Sequence, residues 1–134
     1  NKVHFFQNVH KEDFAKIVER LRSRTVPAGN AIIRQGEAGH SMYFIVRGVV
    51  RISLTAADEE RDLATMIAGD FFGEIALLEN CTRTATCRAI TPCALYELTR
   101  KDFEIIIAAN PSIYDAVHKT SHERSSELDK DNGK

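Results

Sequence analysis

From Thr25 to Leu98 the chain is broken into short extended runs by turn signals. These stand at Pro27-Ala-Gly29, Gly36-Glu-Ala-Gly39, Gly48, the polar stretch Ala57–Arg61 and Gly69-Asp70. The runs between them are Ala31–Arg34, Met42–Arg47, Val49–Thr55 and Asp62–Ile67, with Thr86–Ile90 and Cys93–Leu98 later. Segments this short suit strands, and turns every ten residues or so close strands into a barrel or sandwich. In Met42–Arg47, Tyr43, Ile45 and Arg47 alternate with Met42, Phe44 and Val46. Both faces are largely apolar, so this strand is expected to be buried on both sides.

Helical spacing brackets the strands. Phe14, Ile17, Val18 and Leu21 fall at i, i+3, i+4 and i+7, which predicts a helix over Lys11–Arg22. Val3, Phe5, Phe6 and Val9 ahead of it predict a short helical lead-in. Helix returns at Thr99, where Asp102 makes a capping box with Asp in place of Glu. Asn110-Pro111 predicts the end of that helix and the start of another, with Asn110 as N-cap and Pro111 in the first turn. Ile113, Tyr114, Val117 and Leu128 give the last helix a weak apolar stripe. The reading is α+β and mainly β: an antiparallel β-roll of about eight strands, an N-terminal helix and two C-terminal helices. Residues 1–124 are read as one domain, and the polar residues 125–134, ending in DKDNGK, as a flexible tail.

Composition narrows the function classes. With 134 residues and 43% hydrophobic content the chain can bury a core. Lys and Arg total 18 against 19 Asp and Glu, which argues against a basic surface spanning the domain for nucleic acid but allows one local basic pocket. No apolar run approaches the roughly 18–20 residues of a membrane span, and no signal peptide is apparent. Asn rather than Met at the first position is expected of a piece of a longer protein. Cys81, Cys87 and Cys93 are odd in number and form no CxxC pair, so a reducing compartment is expected, without disulfides or a metal. His118 and His122 stand at i, i+4 but have no third ligand and no HExxH context, and read as solvated helix histidines. No GxSxG or GxxxxGK[ST] string occurs, so nucleophilic catalysis and a P-loop are not expected.

The chemistry concentrates in Phe71–Ala89, FFGEIALLENCTRTATCRA. A Gly-Glu pair precedes a short apolar helical segment, and a single arginine follows among small and hydroxylated residues. Glu74 can accept hydrogen bonds from sugar hydroxyls, and Arg83 can pair with a phosphate through its planar fork. N–H groups at the start of Glu74–Leu78 can face the same anion. These parts suit a phosphorylated sugar.

The order of elements and the string FGEIALLENCTRTATCRA resemble a cyclic nucleotide-binding domain. The resemblance runs from the helix at Lys11 to the helix after Pro111. It is supported by VPAGNAIIRQGEAGHSMYFIVRG and IAGDFFGEIALL. LRSRTVPAGNAIIRQGE and MYFIVRG look most like the domain of prokaryotic cyclic nucleotide-regulated potassium channels. The resemblance implies a jelly-roll-like β-roll that binds cAMP or cGMP as a ligand, without a cofactor and without turning it over. Glu74 would bond the ribose 2′-hydroxyl and Arg83 the cyclic phosphate. The N–H groups of Ile75, Ala76 and Ala85 would add donors, and Gly73 would let the backbone approach closely. Thr84 would permit cGMP without excluding cAMP. Ala64 and Met66, on one face of their strand by period-two alternation, and Cys87 are expected against the base. The last helix would cover the base, with His118 where a similar channel domain has Arg, and with Arg124 as a second candidate. Repacking of Leu77 or Leu78 would move the helices after Thr99.

Three settings remain for such a module. One is a potassium channel with the module fused on its cytosolic side. Another is the sensory half of a catabolite-activator-type regulator, whose helix-turn-helix is not in these residues, so no nucleic acid binding is expected of them. The last is a regulatory module of a cyclic-nucleotide-dependent kinase.

Overall fold

A computed structural model describes the backbone of residues 11–132 and the side chains of residues 15–124. The expected lead-in at Val3–Val9 and the side chains of Phe14 and Leu128 lie outside those residues.

Among the described residues, eight strands form two four-stranded antiparallel sheets. Helix α1 (Lys11–Arg20) leads into β1 (Arg22–Val26), β2 (Ala31–Ile33), β3 (Ser41–Arg47), β4 (Val50–Ala56), β5 (Glu59–Met66) and β6 (Phe71–Phe72). The five-residue α2 (Glu74–Leu78) follows, then β7 (Thr86–Ala89), β8 (Cys93–Thr99), α3 (Arg100–Ala109) and α4 (Pro111–Asn132). Strand order is β1-β8-β3-β6 in one sheet and β2-β7-β4-β5 in the other. The expected β-roll with one helix before it and two after it is the fold observed. Helix α4 continues past residue 124, where polarity drew the domain boundary. No described helix is long and apolar enough to cross a membrane.

The period-two alternation of β3 divides the interior. Tyr43 and Ile45 point into the roll with Val50, Ile52, Phe72, Cys87 and Leu95. Met42 and Phe44 point the other way, into a second cluster with Ile17, Phe71, Leu77, Phe103, Ile106, Ile113 and Val117. Aromatic pairs follow the register: Tyr43 stacks on Phe72 at 5.4 Å, and Phe44 meets Phe71 edge-on at 6.3 Å. One strand therefore carries both cores, and the second core holds the four described helices to the roll.

Most strand ends shift by a single residue from the sequence reading, and three differences are larger. Arg22 belongs to β1, not to α1, because RSRTV pairs along its length with β8. Arg22–Thr25 are exposed and lack apolar alternation; the strand is fixed by the ladder, by the Arg24–Glu97 ion pair at 2.6 Å and by Val26 against the roll core. The turn expected over Ala57–Arg61 is only Ala57-Asp58, both at positive φ, and Glu59–Arg61 extend β5. A two-residue hairpin of that handedness matches strand twist and leaves its neighbours free to pair. Phe71 and Phe72 form a two-residue strand on β3.

The caps behave as expected at α3, where Thr99 accepts from the Asp102 N–H at 3.3 Å. Asp102 also takes Arg20 at 2.8 Å, tying α1 to α3. Pro111 opens α4. Asn110 closes α3, donating its N–H to Ile106.

Candidate functional site

A cavity of about 250 Å³ lies between the β2-β7-β4-β5 sheet, the α2 segment and α4. Ile33, Ile52, Leu54, Leu63 and Cys87 give it an apolar wall. Gly73–Ala76 and Arg83–Ala85 form the polar side, and Ser121 and Arg124 reach it from α4.

Arg83 is almost fully buried, at 6% exposure. One Nη donates to the Gly73 carbonyl at 2.8 Å and the other to the Ser41 carbonyl at 2.7 Å. Its backbone is held by the β2–β3 connection. The Arg83 N–H donates to the Glu37 carbonyl, the Gly36 N–H donates to the Arg83 carbonyl, and Ala38 bridges Thr82. Burial lowers the pKa of the guanidinium. Among the described residues no carboxylate forms an ion pair with it. A buried cation held only by carbonyl dipoles at a cavity wall is prepared for an anion.

Two glycines make room for this arrangement. Gly73 sits at φ 85 as the N-cap of α2, where a Cβ would lie 3.0 Å from an Arg83 Nη. A Cβ on Gly39 would stand 2.5 Å from the Ala76 Cβ and 2.9 Å from the Arg83 Nε. Among the described residues no side chain caps the start of α2.

Glu74 is buried at 2% exposure in the first turn of α2. Its carboxylate lies 3.6 Å from an Arg124 Nη, and the Arg124 guanidinium also sits 4.9 Å above the Phe71 ring. Glu74 and Arg83 thus face one cavity without pairing with each other, an arrangement suited to a ligand with hydroxyls beside an anionic group. Burial pushes the Cys87 thiol up to about 12, so it stays neutral and serves as part of the apolar wall.

The structure brings Gly73, Glu74, Ile75, Ala76, Arg83, Thr84, Ala85, Cys87 and Arg124 around this cavity. Ala64, Met66 and His118 are not among its lining residues. The strand alternation slips at a bulge: Ile52 pairs with Ala64 but Ser53 pairs with Asp62, leaving Leu63 as the extra residue. Leu63 faces the cavity in their place, and Met66 is buried in the roll core. His118 is exposed on α4, in a column of rings with Tyr114 and His122. Tyr114, expected on the apolar stripe, is exposed too. The inward face of α4 runs Ile113, Val117, Ser121. That four-residue step was the available signal for Ser121, which the sequence reading missed. Leu77 packs in the helix-facing core, and Leu78 is partly buried against it.

Residues 23–110 match the cyclic nucleotide-binding domain family. A cyclic nucleotide-gated potassium channel of Rhizobium etli is 40% identical over 122 residues, which cover 91% of this chain and 33% of that channel's length. The crystal structure of Thermus thermophilus catabolite activator protein matches with a TM-score of 0.87 at 28% identity, covering 96% of this chain and 61% of that one. The regulatory domain of Toxoplasma gondii PKA, co-crystallised with cAMP, matches with a TM-score of 0.84 at 27% identity, covering 91% and 46%. Sequence, roll and cavity agree: the chain belongs to the cyclic nucleotide-binding domain family.

Proposed function

We propose that the chain binds cAMP or cGMP in this cavity, without turnover, and regulates a fused potassium channel from the cytosolic side of the membrane. The observation that carries the reading is Arg83, a buried guanidinium with no carboxylate partner among the described residues, facing a cavity whose other polar groups include a buried glutamate. Arg83 takes the cyclic phosphate, supported by the N–H groups of Ile75, Ala76 and Ala85. Glu74 accepts from the ribose 2′-hydroxyl, a role that keeps a carboxylate compatible with a neighbouring anion. Thr84 offers a hydroxyl to a phosphate oxygen or to the 2-amino group of guanine. The purine rests on Ile52, Leu63 and Cys87, and α4 covers it with Ser121 and Arg124. In this pose Arg124 shifts from Glu74 toward the ligand, and α4 reports occupancy to the attached domain. A ligand drives that change only through its different affinity for the two arrangements.

The channel setting is favoured by the 40% identity to a cyclic nucleotide-gated potassium channel. The likeness to a catabolite activator protein at a TM-score of 0.87 supports a second reading, the sensory half of a transcription regulator.

Titration calorimetry with cAMP and cGMP side by side tests the site. Arg83→Ala is expected to cost roughly 1.5–3 kcal/mol, on the order of a 10- to 100-fold loss of affinity. Unchanged affinity in that variant would remove the phosphate assignment.

A further inference from the structure

Arg100 is the first residue of α3, yet its guanidinium serves α2. One Nη donates to the Ala76 carbonyl at 2.9 Å and the Gly39 carbonyl at 3.1 Å, and the other donates to the Leu77 carbonyl at 3.4 Å. Its backbone N–H donates to the His40 carbonyl at 2.8 Å. Ala76 and Leu77 lie in the last turn of α2, whose carbonyls have no intrahelical donor and carry the negative end of the helix dipole. A cation there satisfies both requirements. Arg83 holds the other end of the segment through the Gly73 carbonyl. The five residues of α2 are therefore gripped between two guanidinium groups, one at the cavity and one at the root of α3. Gly39 lies between the two grips: its carbonyl accepts from Arg100, and its Cα sits so close to Arg83 and Ala76 that a Cβ would collide with both.

We propose that Arg100 is a positioning residue that makes α2 and the first turn of α3 move as one unit, so that an anion engaging Arg83 and α2 also displaces α3. The apolar contact of Leu77 with the helix-facing core holds the same two elements together, but apolar packing permits sliding. Hydrogen bonds to three carbonyls fix direction and register. The proposal rests on the cavity being the nucleotide site.

Hydrogen–deuterium exchange on the whole chain tests it, without nucleotide and with saturating cAMP or saturating cGMP, in the wild type, Arg100→Met and Arg100→Lys. In the unliganded protein, Arg100→Met is expected to speed exchange about tenfold in α2 and the first turn of α3, with β4 and β5 unchanged. A merely structural role would raise exchange across the roll as well. With cAMP, the wild type should gain protection in α2 and α3 together, whereas Arg100→Met gains it in α2 alone. Arg100→Lys keeps the charge but not the fork, and should fall between them. If Arg100→Met does not fold, the Lys variant carries the same comparison. Joint protection of α2 and α3 at the wild-type level in the variants would overturn the proposal. So would wild-type exchange rates in both segments of the unliganded variants. Absence of any cAMP or cGMP protection in the wild type would instead strike the ligand reading, and the unliganded comparison would still decide the role of Arg100.

Discussion

Arg83 and Glu74 do opposite electrostatic work in one cavity, and each can be isolated. Glu74 is buried, and among the described residues Arg124 is its ion-pair partner, at 3.6 Å. If it receives the ribose hydroxyl, 2′-deoxy-cAMP should bind the wild type about tenfold more weakly than cAMP, as one hydrogen bond to a charged group implies. In Glu74→Ala the two nucleotides should bind alike, and calorimetry on the four combinations reads this directly. A full deoxy penalty persisting in the variant would assign the hydroxyl to another group. Both residues are legible in the sequence, because FGE and the arginine ten positions on form a local string. Leu63 and Ser121 are less so. Leu63 reaches the cavity because of a bulge in its pairing with β4, and a pairing slip leaves no mark in the strand's own residues. Ser121 faces inward because Ile113 and Val117 dock α4 on the helix-facing core.

Among the elements, two carry conditions that measurements can reach. The β4–β5 hairpin places Ala57 at φ 55, a left-handed conformation that costs a residue with a Cβ about 1–2 kcal/mol. Ala57→Asn should raise stability by about 1 kcal/mol, because Asn tolerates that region. An unchanged or lower urea midpoint would count against strain at this turn. Glu97 on β8 binds Ser41 of β3 and Arg24 of β1, so one carboxylate joins three strands. Burial raises its pKa, but the hydrogen bonds from Ser41 and Arg24 and the charge of Arg24 outweigh that, and the net shift is downward. A carboxyl lowered in the folded state stabilises above its unfolded pKa, and that contribution is lost as pH falls through the folded value. Wild-type stability should therefore fall more steeply than that of Glu97→Gln between about pH 5 and about pH 3. Parallel urea midpoints across that range would show that the three-strand junction adds nothing.

At the scale of the whole molecule, the cavity lies where the roll, α2 and α4 meet, so occupancy should be felt by the fold as a unit. cAMP at about 100 times its Kd should stabilise the wild type by about 2.7 kcal/mol. The same concentration should do much less for Arg83→Ala. Urea denaturation with and without nucleotide measures both, and an equal gain in the variant would place binding outside this cavity. The helix-facing core joins α1, α2, α3 and α4 to one face of β3, and the proposed transmission runs through it.

The sequence by itself determined the class of fold, the places of most strands and helices, and the Phe71–Ala89 segment as the source of the cavity's polar side. These depend on periodicity, turn chemistry and local motif, all written within a few neighbouring residues. Tertiary structure decided which side chains complete the cavity wall, that RSRTV becomes a strand, that His118 faces away, and that Arg100 grips α2. Each of these depends on partners far apart in the chain: a bulged register, an edge ladder, the docked face of a helix and the unpaired carbonyls of a helix end.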